Sequence, residues 1–363
     1  MADENTRKTP APVSRDDILG LLLGQGRYQH VNVERRRDVW NRWKKLLKKG
    51  YINLNGITLK DVDLSGFNLS SVSFVNASLT DSKFNFCDFS GANLSQAKIK
   101  SVQFRAAKFT DVKGKKASFS QVDLTQAKLV GCTFKEAEFQ EATLNDCHIN
   151  GVNFSEAKFL KVSGKRILIT NCDFNNTNWV DVKFYSSNLP SNNFKGMRFW
   201  EGKGRKWDYY DYSQSPVSAA FEGVDFASSD FEGVIFFHVN LEGSSLKNTN
   251  LRRARFESCN LKNVSLEGAD LHTAGFERTE GLKKEQLMSA KNWDKLDTRE
   301  ILQKLLGKKG IEELNGGKVS LTGGEKGNVS LTKKQDGQVT VAEGEASEQE
   351  ESWFWRTWNK WFK

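Results

Sequence analysis

Several residue types are scarce in this sequence. Among 363 residues there are only 4 prolines, 4 histidines, 5 cysteines and 3 methionines. Hydrophobic residues make up 38% of the chain, below the roughly 45–50% typical of globular domains. No apolar run approaches the about 18 residues that a membrane-spanning helix needs, so no such helix is predicted. The start, MADENTRKTP, lacks the pattern of a secretory signal, and we expect a cytoplasmic protein.

What the chain does contain argues against disorder. It has 25 phenylalanines and 10 tryptophans, which disordered chains do not retain. The formal net charge is +9. The length would allow two or three ordinary domains. A polar chain this rich in aromatic residues indicates a core that is built in an unusual way.

A five-residue period runs through most of the sequence. Leu, Ile or Phe recurs at every fifth position from Leu54 to Phe199, and Trp179 takes one of these positions. Two of the positions are empty, at Gly114 and Gly164. Small residues such as Ala and Cys recur two positions before each large one. The period fits neither a helix, at 3.6 residues, nor a strand, at 2. It fits a chain that turns a corner every five residues, with two side chains pointing inward and three outward.

Segments such as GANLSQAKI, GVNFSEAKF and EGADLHTAGF resemble the pentapeptide-repeat family, whose consensus is A-(D/N)-L-x-x. The resemblance implies an all-β solenoid: a right-handed quadrilateral β-helix with four repeats, about 20 residues, in each coil. The aromatic positions 119, 139, 159, 179 and 199 should then stack above one another. An open coil exposes its core and its unpaired edge, so we expect helical caps at both ends.

The period and its breaks predict the following organisation. Residues 1–13 are a disordered N-terminus, 14–50 a helical N-cap, 51–199 the first repeat block, 200–220 an aromatic and basic insertion loop, and 221–281 the second repeat block. Residues 282–310 are a helical C-cap, 311–342 ten-residue β repeats, 343–351 a flexible acidic linker, and 352–363 an amphipathic tail.

In the N-cap, Ser14 and Asp17 are typical of a helix start, and Gly24 and Gly26 of its end. A second helix is predicted from about residue 34 to 49. Its apolar side, which includes Trp40 and Leu46, should lie on the first coil, while its basic residues face solvent. Nucleic acid or anionic lipid is the alternative contact for that basic side.

The chain offers no catalytic arrangement. The cysteines all take the small inward position, too far apart for disulfides, and they predict buried free thiols in a reducing compartment. The histidines are scattered along the sequence. No nucleophile–base pair, phosphate-binding loop or metal-ligand spacing is present in the sequence. We therefore expect no enzyme, with no catalytic, cofactor-binding or metal-binding residues.

The insertion loop is the first candidate binding site, because solenoids present function through insertions and ends. Aromatic residues mixed with cations favour recognition of a protein partner. The alternative is a loop that buries its own rings on the coil surface. The candidate partner-binding residues are Trp200, Lys203, Arg205, Trp207, Tyr209, Tyr210 and Tyr212.

The second candidate is a basic belt beside the two core glycines. It consists of Lys113, Lys115 and Lys116 near Gly114, and Lys165 and Arg166 near Gly164. Because the glycines are 50 residues apart, the two groups should face opposite sides of the rod. Such a belt could bind phosphates or acidic partners; a plain solvated surface is the alternative.

The third candidate is the C-terminal tail. On a helical wheel its aromatic residues share one side and its cations the other. This pattern favours the surface of an anionic membrane, with docking into a groove of this or another chain as the alternative. The candidate residues are Trp353, Phe354, Trp355, Trp358, Trp361, Phe362, Arg356 and Lys360.

Together these features predict a non-enzymatic scaffold that presents a rigid surface to protein partners. The tail would hold it at a membrane surface, peripheral to the inner face. The alternative is a DNA gyrase-binding protein of the quinolone-resistance type, in which an acidic rod imitates DNA. That alternative is disfavoured, because the longer repeat block is net basic. Nucleic acid is not expected as a partner, and a homodimer is left open.

Overall fold

The computed structural model describes residues 14–46, 51–199, 219–297, 301–302, 305, 320–321, 328–333 and 339–344. The chain divides into two compact units, Met1–Asp297 and Thr298–Lys363. The first contains the solenoid and its N-terminal cap. The second contains a small antiparallel sheet.

The first unit is a parallel β-solenoid of about ten turns, which confirms the predicted fold class. Within each repeat block, strand residues pair with those 20 positions later, as Ile52 does with Val72 and Phe119 with Phe139. Four short parallel sheets therefore run along the rod, one on each face.

The strands are grouped here by sheet. The shortest sheet contains β1 (Ile52–Asn53) and β3 (Val72–Ser73). The longest contains β2 (Thr58–Lys60), β4 (Ser78–Thr80), β5 (Lys98–Lys100), β7 (Ser118–Ser120), β9 (Glu138–Gln140), β11 (Lys158–Leu160) and β14 (Asn178–Val180), and its face continues through β17 (Ile235–Phe237), β19 (Arg255–Glu257) and β20 (Gly275–Glu277). The third contains β6 (Lys108–Thr110), β8 (Lys128–Val130), β10 (His148–Asn150) and β13 (Leu168–Thr170). The fourth contains β12 (Ser163–Lys165), β15 (Val182–Tyr185), β16 (Ala219–Ala220) and β18 (Val239–Asn240).

The consensus Asp or Asn forms the corner of the coil. The Asp63 carboxylate accepts a hydrogen bond from the Ser65 backbone N–H at 3.0 Å, and Asp123 does the same with Thr125 at 2.9 Å. This local bond holds the chain in a tight turn. The residue that follows the N–H donor adopts a left-handed conformation, as Gln126 does after Thr125, with φ of 62°. The corner explains why a short polar acceptor precedes the large inward residue.

The core consists of the two inward positions of each repeat, as predicted. Phe119 and Phe139 are each at most 3% exposed, and their rings stack with centroids 4.8 Å apart and planes at 3°. Phe159 continues the column at 5.2 Å, and Trp179 ends this run with a tilted contact at 5.2 Å. The separation matches the distance between coils, so the backbone ladder sets the ring stacking.

The two core glycines leave no cavity of leucine size. A Cβ at Gly114 would lie 2.4 Å from the ring of Phe134 in the next coil. A Cβ at Gly164 would lie 2.5 Å from the end of Ile167. The neighbouring side chains therefore occupy the space that the missing side chain would fill.

The two repeat blocks form one continuous solenoid. Asn188 pairs with Asp225, and Arg198 with Ile235, so the partners here are 37 residues apart instead of 20. The coil continues in β16, whose Ala219 pairs with Val182, so the additional residues lie between Phe199 and Ala219. The predicted loop boundary of 220 is therefore two residues too late. Most of the insertion, residues 200–218, lies outside the described residues.

At the N-terminus, α1 (Arg15–Leu23) begins at Ser14, whose hydroxyl accepts the Asp17 N–H at 3.1 Å. It ends at Gly24, which takes the left-handed conformation that glycine accommodates best. A short 3-10 turn, Gly26–Tyr28, leads to α2 (Val33–Leu46).

Helix α2 covers the first coil and hydrogen-bonds to its open edge. Trp40 is fully buried, and its indole N–H donates to the Asn68 carbonyl at 2.6 Å. The Asn41 side chain donates to the Gly66 carbonyl at 3.0 Å and accepts from the Asn68 N–H at 2.7 Å. These bonds satisfy backbone groups that would otherwise lack partners.

Two residues of α2 depart from the prediction. Lys44, placed on the solvent side by the helical wheel, is 8% exposed, and its ammonium donates to the Ser70 carbonyl at 2.6 Å. Burial lowers the pKa of this ammonium. Leu46, placed on the coil side, is 79% exposed. The Ser70 carbonyl at the open coil edge needs a hydrogen-bond donor, and Lys44 supplies it. Leu46 is the last residue of α2 and lies beyond the part of the helix that covers the core.

The solenoid ends in a short helix, α3 (Lys284–Met288), and a 3-10 turn, Trp293–Lys295. The Leu287 side chain is fully buried, and the Leu271 N–H donates to the Lys291 carbonyl at 3.0 Å. In the second unit, residues 301, 302 and 305 are helical. Strands β21 (Ser320–Leu321), β22 (Asn328–Lys333) and β23 (Val339–Gly344) form an antiparallel meander.

Restoring the consensus residue at a core glycine should destabilise the fold. We expect Gly114→Leu to lower the free energy of unfolding by about 1–3 kcal/mol, because the new side chain overlaps the Phe134 ring. Thermal and urea unfolding would measure the loss. The double variant Gly114→Leu/Phe134→Leu should recover most of it. If Gly114→Leu alone is as stable as the wild type, Phe134 does not fill the gap.

Candidate interaction surfaces

The outward side chains stand in straight columns along each face of the rod. Because residues 20 positions apart lie in register, each column contains one residue from every coil. The spacing is set by the ladder, about 4.8 Å between coils. A binding surface on such a rod is therefore a set of adjacent columns, whose residues are far apart in the sequence.

The first half of the basic belt is partly neutralised by the next coil. The Lys115 and Lys116 ammonium groups lie 3.3 and 3.2 Å from the two carboxylate oxygens of Glu136. The hydrogen bond from Lys116, with that from Lys115, lowers the pKa of this carboxyl. Lys113 is exposed on the same face, where it bridges to Asn93 and Thr133 through the backbone.

The second half of the belt lies on another face. Arg166 makes a bidentate bond to Asp146, with distances of 2.7 and 2.8 Å. This bond lowers the pKa of the Asp146 carboxyl. Lys165 ends β12 and is exposed. Since 50 residues make two and a half coils, the two halves face opposite directions and do not form one patch.

The other two candidate sites fall outside the described residues. These are the insertion-loop residues Trp200, Lys203, Arg205, Trp207, Tyr209, Tyr210 and Tyr212, and the tail residues Trp353, Phe354, Trp355, Arg356, Trp358, Lys360, Trp361 and Phe362. Their roles stay predictions.

One face of the rod differs from the others in charge. We call it the neutral face. It comprises the outward residues of β8, β10 and β13, the turns that follow these strands, and the equivalent residues 188, 190 and 191 of the next coil. Only Lys128 carries a fixed charge there. Val130 is 38% exposed and Leu168 36% exposed. Its residues are Lys128, Val130, Gly131, His148, Asn150, Gly151, Leu168, Thr170, Asn171, Asn188, Pro190 and Ser191.

The neutral face was missed by sequence reasoning. Its residues are ordinary polar or small ones, and no short segment stands out. The signal becomes visible only when the sequence is written in rows of 20, where residues 128–131, 148–151, 168–171 and 188–191 align. A smooth, weakly charged β-surface of this kind is typical of protein contact, because charged residues are depleted at interface centres.

Family models agree with this geometry. A model described as pentapeptide repeat region matches residues 117–194 and 217–284, and one described as pentapeptide repeats (8 copies) matches 52–85 and 73–111. The matched segments cover more than half of the chain. The chain belongs to the pentapeptide repeat family.

The chain is also similar to solved structures of pentapeptide repeat proteins. HetL from Nostoc sp. strain PCC 7120, described as involved in regulation of heterocyst differentiation, is 21% identical, with 66% of this chain and 97% of that chain covered and a TM-score of 0.39. QnrB1, described as a plasmid-mediated fluoroquinolone resistance protein, is 19% identical, with 66% and 94% covered and a TM-score of 0.22. Rfr23 from Cyanothece 51142 is 14% identical, with 44% and 96% covered and a TM-score of 0.16. The search of curated proteins found no match.

The pentapeptide repeats bury all five cysteines as free thiols. Burial raises the pKa of Cys87, Cys147, Cys172 and Cys259 to about 12, and that of Cys132 to about 11. The Cys87 thiol donates to the Leu64 carbonyl at 3.0 Å. A protonated, buried thiol is a poor nucleophile and a poor metal ligand. Among the described residues, no group of His, Cys, Asp and Glu could hold a metal ion. Across the same ranges, no helix is long and apolar enough to cross a membrane.

We expect the five thiols to be inert in the folded protein. The aromatic disulfide dithiobis(nitrobenzoate), added at pH 8, should label none of them within minutes, because the thiolate form is scarce and access to the thiols is blocked. All five should react in guanidinium chloride. Rapid labelling of even one thiol in the native protein, with the position found by mass spectrometry, would contradict the burial.

Proposed function

We propose that this pentapeptide repeat protein is a non-enzymatic scaffold that presents a rigid surface to protein partners. The alignment of outward side chains in straight columns carries the proposal. Each column is fixed by the same ladder that holds the coils together, so a partner meets a surface with little conformational freedom to lose. Rigid display of this kind favours binding over chemistry.

Two features support protein rather than small-molecule binding. The core is filled by stacked rings and small residues, as at Phe119 and Phe139, which leaves no deep cleft through the described coils. Small-molecule sites are usually concave and enclose their ligand. The neutral face offers a flat surface with exposed Val130 and Leu168, which is suited to a second macromolecular surface.

We assign partner capture to the insertion loop and location to the tail. The loop interrupts the repeat after Phe199, where the solenoid would otherwise continue unbroken. Its aromatic and cationic composition is typical of protein hot spots. On a helical wheel the tail has its aromatic residues on one side and its cations on the other, which suits an anionic membrane surface at the inner membrane face.

A pull-down from native lysate tests partner capture. The wild-type chain should retain specific proteins, and the triple variant Trp207→Ala/Tyr209→Ala/Tyr210→Ala should lose them, because large rings contribute most to binding. Phe86→Ala is the matched control, since it removes a ring that is 71% exposed on the coil surface. Equal retention by the triple variant and the control would remove the loop from the proposal.

Sedimentation with lipid vesicles tests the tail. The full chain should bind vesicles that contain anionic phosphatidylglycerol, and a chain ending at residue 351 should bind at least about tenfold more weakly. Binding of the full chain should fall in high salt and on vesicles of phosphatidylcholine alone. If both chain lengths bind the anionic vesicles equally, the tail is not the anchor.

A further inference from the structure

The neutral face is flanked by charges of both signs, in an order that can complement itself. One column of this face runs Asn68, Asp88, Lys108, Lys128, His148, Leu168, Asn188, Asp225, Ser245 and Ser265. The adjacent column, two residues further along each strand, runs Ser70, Ser90, Thr110, Val130, Asn150, Thr170, Pro190, Ala227, Lys247 and Glu267. Asp88 and Lys108 thus flank the centre on one side, and Asp225, Lys247 and Glu267 flank it on the other.

A two-fold axis that lies in the plane of this face, parallel to the strands, would bring two copies together with their rods antiparallel. Such an axis places each column against the same column of the other copy, in reverse order. With the axis midway between His148 and Leu168, Lys108 of one copy faces Asp225 of the second copy. Because of the symmetry, this contact occurs twice.

The other positions agree with the same register. Asp88 comes next to Lys247 of the second copy, and Val130 faces Pro190 of the second copy. No two like charges stand opposite one another in either column. We propose that the neutral face is a self-association surface, on which two copies of this chain pair as antiparallel rods with Lys108 against Asp225.

Other placements of the two rods match less well. With parallel rods, each charged residue meets residues of its own coil, so Lys108 would face Thr110 and no ion pair would form. A shift of the axis onto the Leu168 coil places Lys128 against Asp225 but leaves Lys108 against Ser245. A shift onto the His148 coil places Asp88 against Asp225, which is repulsive. The chosen register makes the most favourable contacts.

The intrachain ion pairs are compatible with this arrangement. Lys108 lies 3.8 Å from Asp88, and Lys247 lies 2.7 Å from Glu267, on the surface of a single chain. Each cation would therefore join a small network across the interface. Surface pairs of this kind contribute more to register and partner choice than to affinity.

The area suits a weak dimer. Eight coils at ~4.8 Å give a strip about 40 Å long, and the strand with its turn is about 12 Å wide. The two copies together would bury about 1,000 Å², at the lower limit of specific interfaces. Association should therefore be reversible and visible at tens of micromolar rather than nanomolar protein.

Charge reversal tests the proposal on the full-length chain, without lipid or other proteins. Sedimentation velocity from about 1 to 100 μM should show a monomer–dimer equilibrium for the wild type. Lys108→Glu should weaken dimerisation more than about tenfold, because the repulsion occurs twice. Asp225→Lys should do the same, and the double variant Lys108→Glu/Asp225→Lys should return to within about threefold of the wild type.

Controls separate the interface from the fold. Lys158→Glu reverses an exposed charge in β11, on the opposite face, and should leave the equilibrium unchanged. The Asp225 carboxylate also accepts the Ala227 N–H at 3.0 Å, so Asp225→Asn keeps that acceptor while it removes the charge. Thermal unfolding of each variant shows whether it is folded.

A cross-link fixes the register. All five natural cysteines are buried, so a new surface thiol can be oxidised selectively. Val130→Cys/Pro190→Cys should form a disulfide-linked dimer in dilute oxidant, because position 130 of one copy faces position 190 of the second copy. Val130→Cys alone should form none, because the two copies of position 130 lie about three coils apart in the dimer. A chain that stays monomeric at 100 μM, or a dimer that tolerates both charge reversals, would overturn the proposal. Neither result would bear on membrane binding by the tail or on capture by the loop.

Discussion

The backbone ladder between successive coils is the constraint on which the rest of the structure depends. The N–H of each large inward residue donates to a carbonyl in the next coil, as Phe104 does to Asp123 at 2.7 Å, and the pattern repeats along the rod. The ladder fixes the coil at 20 residues and the spacing at about one strand separation. Ring stacking, the burial of the small inward residues and the alignment of surface columns all follow from it. A chain with few apolar residues can fold this way because only two of the five side chains in each repeat point into the core.

A ladder must also end, and the caps show how. Helix α2 brings Trp40, Asn41 and Lys44 to carbonyls of the first coil, so donors from side chains replace those of an absent coil. Burying an ammonium costs free energy, which the lowered pKa of Lys44 reflects. An unpaired carbonyl at a buried edge also costs free energy, and the bond from Lys44 to the Ser70 carbonyl removes that cost. The position of this lysine follows from the edge it covers and not from the amphipathic pattern of the helix.

The sequence predicted what depends on local repetition. The period of five, the inward cysteines and the aromatic column from Phe119 to Trp179 could be read directly, because each repeat is decided by its own residues and its neighbours 20 positions away. Lys44 and Leu46 could not, since their positions depend on where one helix meets the coil edge. Gly114 and Gly164 were recognised as gaps, but the side chains that fill them, Phe134 and Ile167, depend on packing between coils.

Surfaces were harder to predict than the core for the same reason. Inward positions must be apolar in every coil, so they can be identified within a single repeat. The role of an outward position depends on the residues above and below it in the same column, which are 20 positions away in the sequence. The basic belt illustrates this: the cations are adjacent in the sequence, but Glu136 and Asp146, which pair with them, come from neighbouring coils. The neutral face is the converse case, because its residues are unremarkable in each segment and become a surface when four coils are aligned. In a solenoid a binding surface is therefore composed of columns, and each strand supplies only one position of a given column.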